Sequence, residues 1–155
     1  MKNDVAIGNI IVSEIELIYK SKSKASDRPR INTSKEAYDV FIQLWDKDKI
    51  ELIEQFAALF LNQANRVLAV YKVSTGGITS TVADLRLVFA AALKVGACAI
   101  TTAHNHPSGS LMPSRQDDDL TKKFKEAGKF LDIRLLDSLI ISPDGYFSFA
   151  DEGVL

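Results

Sequence analysis

ACAITTAHNHPSG, residues 97–109, passes from a short apolar run into a turn-rich segment, and its reading decides the fold. Positions 97–103 carry no charge, which suits a strand buried on both faces, and Pro107, Ser108 and Gly109 then end it in a loop. Upstream, Gly96 is placed to stop a helix capped by Asp84, whose Leu85, Val88, Phe89 and Ala92 share one face. Before that helix, residues 56–61 (FAALFL) read as another doubly buried strand. Asn62-Gln63-Ala64-Asn65 makes the turn, Val67 to Val73 returns antiparallel, and Gly76-Gly77 ends it. Thr33 with Glu36 forms a capping box for a helix that buries Ala37, Val40, Phe41, Leu44 and Trp45. Ile10 to Tyr19 predicts a half-exposed strand near the sheet edge, and residues 20–33 a loop. Downstream, Ser114 opens a third helix with Leu120, Phe124 and Ala127 as its core stripe and Gly128 near its end. Ile133 to Ile141 and Tyr146 to Phe149 close a hairpin around Pro143-Asp144-Gly145. Strands alternate with helices, so the expected class is α/β, a mixed β-sheet flanked by helices.

The 155 residues suit one domain, with an N-terminal strand and basic loop over 1–33 and the domain proper over 34–155. A formal charge of -1 gives no dominant field, and no apolar stretch is long enough to cross a bilayer or to act as a secretory h-region. The expectation is a soluble, cytoplasmic protein without membrane contact. Cys98 is the only cysteine, so it can form no intramolecular disulfide, and it reads as a small buried core residue. Lys20, Lys22, Lys24, Arg28 and Arg30 form one basic tract, which reads as a solvated loop; nucleic acid is therefore a possible partner but not the favoured one. Lys122, Lys123, Lys125 and Lys129 fall on an exposed helix face.

His104 and His106 are the only histidines, and they stand two apart at the end of a buried strand. Extended backbone points i and i+2 to the same side, so both imidazoles can reach one ion. Ser114 and Asp117 follow as S-x-x-D at the next helix start, which offers a carboxylate as third ligand. That pair is also an ordinary N-terminal cap, with a serine and an acid favoured by the helix dipole. Three protein ligands of this kind leave a fourth position for water, the pattern of a catalytic zinc.

The segment from Ala103 to Gly109, continuing to Pro113-Ser114 and Asp117, resembles the signature of the RadC-type JAMM (JAB/MPN) domain, a family named historically for DNA repair. The resemblance runs from Glu54 to the C-terminus and includes Asn65-Arg66, Thr81-Val82, Leu135-Leu136-Asp137 and residues 147–153. It implies a cytidine-deaminase-like JAMM fold and a zinc-dependent metalloprotease or isopeptidase acting on a peptide, protein or isopeptide substrate. It also implies Glu54 as the general base and Ser114 as a hydrogen-bond donor to the metal's water or the oxyanion. From the residues alone, Glu51, Glu14 and Glu16 are rival carboxylates. Two positions depart from the family pattern: Ser138 stands where a histidine commonly follows Leu-Leu-Asp, and Leu85 where a proline is common.

A nucleobase deaminase needs H-x-E and P-C-x-x-C, which a chain with one cysteine cannot supply. A DNA-processing role is the remaining alternative of substance, although the helix-hairpin-helix module of longer relatives has no room here. A further alternative is a metal-holding interaction module without turnover; idle relatives typically lose the ligands, and here all are present.

Overall fold

Helix α1 (Ser34–Leu44) starts where its cap dictates. The Thr33 side chain accepts from the Glu36 N–H while the Glu36 carboxylate accepts from the Thr33 N–H. The computed structural model describes residues 4–13, 15–76 and 83–155. Gly77, Thr81 and Val82, which the sequence assigns to a strand end and to the family pattern, lie outside them.

The main sheet is built from β3 (Gln55–Leu61), β4 (Val67–Thr75), β5 (Ala99–Asn105), β6 (Arg134–Ser142) and β7 (Gly145–Ser148), in the order β4-β3-β5-β6-β7. All neighbours are antiparallel except β5 and β6, whose parallel pairing requires the crossover that α3 (Arg115–Phe130) provides. Helix α2 (Leu85–Lys94) precedes β5; Asp84 caps it and Gly96, at φ +69°, turns the chain out of it. Leu85 occupies its first helical position, where proline is also well suited, so that departure costs the helix nothing evident.

The two central strands are buried on both faces, as the apolar runs predict. On one face Ala99 and Ala103 pack with Phe41, Trp45, Leu59 and Leu139 beneath α1. On the other, Ile100 packs with Phe60, Val88, Phe89 and Phe124 beneath α2 and α3. The close seat of α3 depends on Gly128: a Cβ there would stand 2.2 Å from the Ile133 carbonyl oxygen.

Three expectations change. The segment from Ile10 to Tyr19 does not join the sheet edge. Among its described residues only β2 (Ile10–Ser13) is a strand, paired with β1 (Asp4–Ile7) in a separate two-stranded sheet, because a tight turn containing Gly8 at φ +64° supplies a local partner. Ile15 and Leu17 stay exposed, and the Tyr19 hydroxyl donates to the Leu68 carbonyl of β4 at 2.8 Å. Cys98 is half-buried rather than a core residue, since it stands just before β5 begins. Strand β5 also runs two residues further than the apolar run, to Asn105, so His104 belongs to a rigid ladder opposite Phe56 and not to the following loop.

Candidate metal centre

His104 is fixed by β5, and His106 follows one residue beyond its end. Their Nε2 atoms approach to 3.1 Å. The Nδ1 of His106 lies 2.9 Å from the Ser110 carbonyl. A carbonyl can only accept, so Nδ1 carries the proton and, in neutral imidazole, Nε2 is left with its lone pair toward the centre. The ring of His104 stacks on Phe56, which stacks on Phe124 in turn, so an apolar wall fixes its plane.

Asp117 comes to the same point from α3. Ser114 caps that helix by accepting from the Asp117 N–H at 3.2 Å, and the Asp117 carboxylate takes the Ser114 N–H at 2.7 Å. This reciprocal cap aims the carboxylate: Oδ1 is 3.0 Å from His104 Nε2 and Oδ2 is 3.4 Å from His106 Nε2. The cap reading and the ligand reading of S-x-x-D are therefore compatible. Burial opposes ionisation of Asp117, yet the two imidazoles and the Ser114 N–H outweigh it and hold the carboxyl far below its usual range. His106 is raised above its ordinary value, chiefly by its bond to Asp117, with the Ser110 carbonyl and the Glu54 carboxylate acting the same way against burial.

Glu54 stands immediately before β3 and is buried, 8% exposed. One of its carboxylate oxygens and one nitrogen each of His104 and His106 lie within 4.8 Å of one another. Of the rival acids, Glu51 and Glu16 are exposed and Glu14 lies outside the described residues. Two carboxylates thus flank the histidine pair, and either Glu54 or Asp117 completes a three-donor set that could hold a metal ion.

The spacing fits such an ion. Bonds of about 2.0–2.1 Å in a tetrahedron separate two ligand atoms by about 3.3 Å. The separations here run from 3.0 to 3.4 Å. Nitrogen and carboxylate donors of this kind suit zinc among other divalent ions.

Nothing in the spacing singles out Asn105, which the structure makes a principal support of the site. Fully buried, it donates through Nδ2 to the carbonyls of Ile50 and Ile53 at 2.7 and 2.9 Å. Its Oδ1 accepts from Trp45 Nε1 at 3.1 Å and from the Gln55 N–H at 2.9 Å. Three of these bonds tie the segment carrying Glu54 to the strand carrying the histidines, and the fourth ties in Trp45 at the end of α1. The available signal was a polar side chain at a doubly buried strand position, which must be paired. Asn105→Ala would leave two carbonyls and two N–H groups without partners at about 1–3 kcal/mol each before relaxation. The expected loss is at least about 3 kcal/mol of stability, or roughly 6–12 °C in Tm, read by thermal unfolding. A shift within a degree of wild type would mean that the clamp does not form.

Ser138, the other departure, is buried and accepts from the Thr102 hydroxyl at 3.0 Å. That bond occupies it beside β5, while the buried Nδ1 of His104 has no hydrogen-bond partner among the described residues.

The sequence profile of the RadC-like JAB domain matches residues 31–154. Among similar proteins is a "UPF0758 protein" of Flavobacterium johnsoniae, 50% identical over 101 residues, which are 65% of this chain and 44% of that one. A protein of the same name from Porphyromonas gingivalis is 48% identical over 103 residues, covering 66% and 45%. Another, from Chlorobaculum parvum, is 35% identical over 150 residues, covering 96% of this chain and 68% of the relative. The chain thus spans less than half the length of the first two. Among the described residues no helix is long and apolar enough to cross a membrane.

Proposed function

The chain belongs to the RadC-like JAB domain family, and from that premise we propose that it is a zinc-dependent hydrolase of amide bonds, a metalloprotease or isopeptidase acting on a peptide, protein or isopeptide substrate. One observation carries the reading. Two imidazole nitrogens and the Asp117 carboxylate converge within 3.0–3.4 Å, with a buried second carboxylate, Glu54, beside them.

In this reading His104, His106 and Asp117 would hold zinc. Zinc there supplies Lewis acidity, lowering a water's pKa toward neutrality and polarising the scissile carbonyl. Glu54 accepts a proton from the attacking water as its oxygen bonds to the carbonyl carbon. It then delivers that proton to the leaving nitrogen as the C–N bond breaks. Ser114 Oγ spends an acceptor site on the Asp117 N–H, which leaves its own hydroxyl proton to donate to the oxyanion. Phe56 and Phe124 keep water from the buried side of His104, which strengthens the electrostatics of the site.

Elemental analysis and a cleavage screen test this together. Metal-loaded protein should hold one zinc per chain and cleave some member of a panel of peptides and lysine-linked isopeptides, while duplex DNA offered in parallel stays intact. Zinc without cleavage would favour an interaction module, and DNA cleavage a DNA-processing role. A chain that takes up no zinc overturns the proposal outright.

A further inference from the structure

A cavity of about 360 Å³ opens on the sheet face opposite the metal centre, lined by Thr33 and Ser34 of the α1 N-terminus and by Asn65, Thr101, Asp137 and Asp151. Thr101 of β5 pairs in register with Asp137 of β6. Thr101 shares its face with Ala99 and Ala103 beneath α1, whereas His104 points to the α3 side.

The lining is chemically one-sided, with two carboxylates and no Lys, Arg or His. Asp137 is already satisfied: it accepts from the Ser148 hydroxyl and from the N–H groups of Ser138 and Ala150. Burial nevertheless holds its carboxyl above the ordinary value, and the Asp151 charge acts in the same direction. Asp151 accepts from the Ser34 hydroxyl. Two oxygens of the lining have no partner among the described residues: Thr101 Oγ1, on a residue 1% exposed, and Asn65 Oδ1. Buried polar atoms in folded proteins are almost always bonded, so this pair calls for an occupant with hydrogen-bond donors.

The occupant's charge follows from the same residues. The α1 N-terminus does not make this an anion site, because the Glu36 carboxylate already takes the Asn32 and Thr33 N–H groups and neutralises that end of the helix. Nor do the two carboxylates form a cage for a bare metal ion; among the described residues the metal-ligating groups that cluster are Glu54, Asp117, His104 and His106. We propose that the cavity binds an organic cation bearing N–H groups, an alkylammonium or guanidinium, whose protons go to Thr101 Oγ1 and Asn65 Oδ1 and whose charge Asp137 and Asp151 balance.

Amide chemical shifts of the full chain, titrated with n-butylammonium and n-butylguanidinium, test this. Saturable shifts at Thr101, Asn65 and Asp137 are expected, with or without metal loaded. Butyltrimethylammonium, which has the charge but no N–H, and butyrate should bind at least about tenfold more weakly. Thr101→Val removes the partnerless hydroxyl at nearly constant shape, so it should weaken butylammonium at least about fivefold without lowering Tm. Asn65→Asp adds a charge and tolerates the φ of 57° at that position, so it should tighten binding. Blocked lysine, Nα-acetyl-lysine methylamide, separates the sources. Binding as strong as that of butylammonium indicates that a protein side chain enters, and loss of binding indicates a free small amine. Absence of saturable shifts, equal binding of the two controls, or an unchanged affinity in Thr101→Val overturns the proposal.

Discussion

Glu54→Gln is expected to keep its zinc and to lose hydrolysis by at least about a hundredfold, since general-base contributions are typically about 10²–10⁴-fold. The substitution preserves size and leaves the Asn105 clamp intact, because that clamp grips the backbone of Gln55, Ile50 and Ile53 and not the Glu54 side chain. What disappears is the capacity to take a proton, together with the negative charge that acts on His106. The experiment also resolves an ambiguity in the geometry. Glu54, His104 and His106 form a three-donor cluster by themselves, so Glu54 competes with Asp117 for the role of ligand. If Glu54 ligates, Glu54→Gln loses metal and activity together. If it is the base, metal content holds while the rate falls. Wild-type rate with wild-type zinc would exclude both roles and send the search to another proton acceptor.

The sequence marked the parts of this molecule whose signals are local. Apolar runs with no charge located β3 and β5, and reciprocal caps at Thr33 and Ser114 located two helix starts to the residue. His104 and His106 were legible because strand geometry makes i and i+2 neighbours. Glu54 was not legible from spacing. It is distant in the chain from the histidines, and only the antiparallel pairing of Phe56 with His104 brings it alongside, so its role entered by resemblance. Asn105 was hidden for a related reason: its four bonds run to a segment about fifty residues away. The region from Ile10 to Tyr19 misled because alternation predicts a strand but not its partner, and the partner proved to be the adjacent segment, Asp4–Ile7.

Asp117→Asn and His104→Ala should each do what Glu54→Gln does not, removing the metal along with the activity. The reasons differ. Asn keeps the Ser114 cap largely in place, since an amide oxygen can still accept the Ser114 N–H, so α3 should remain folded. It loses the negative charge that would compensate a divalent cation, and a neutral amide is a poor zinc ligand. His104→Ala removes a nitrogen donor and also opens a gap against Phe56, so a loss of stability of about 1–3 kcal/mol is expected besides the loss of metal. Zinc affinity should fall at least about a hundredfold in both, measured by competition with a chromogenic chelator. Asp117→Asn also exchanges the cap carboxylate of α3 for an amide, so its metal-free form should be somewhat less stable than metal-free wild type. Comparing unfolding of the metal-free and zinc-loaded forms therefore separates two effects in one variant. The metal-free difference reports the weakened helix cap, and the missing zinc-induced rise in Tm reports the lost ligand. A variant that kept the full zinc-induced rise would show that Asp117 is only the helix cap, and the third ligand would then be Glu54.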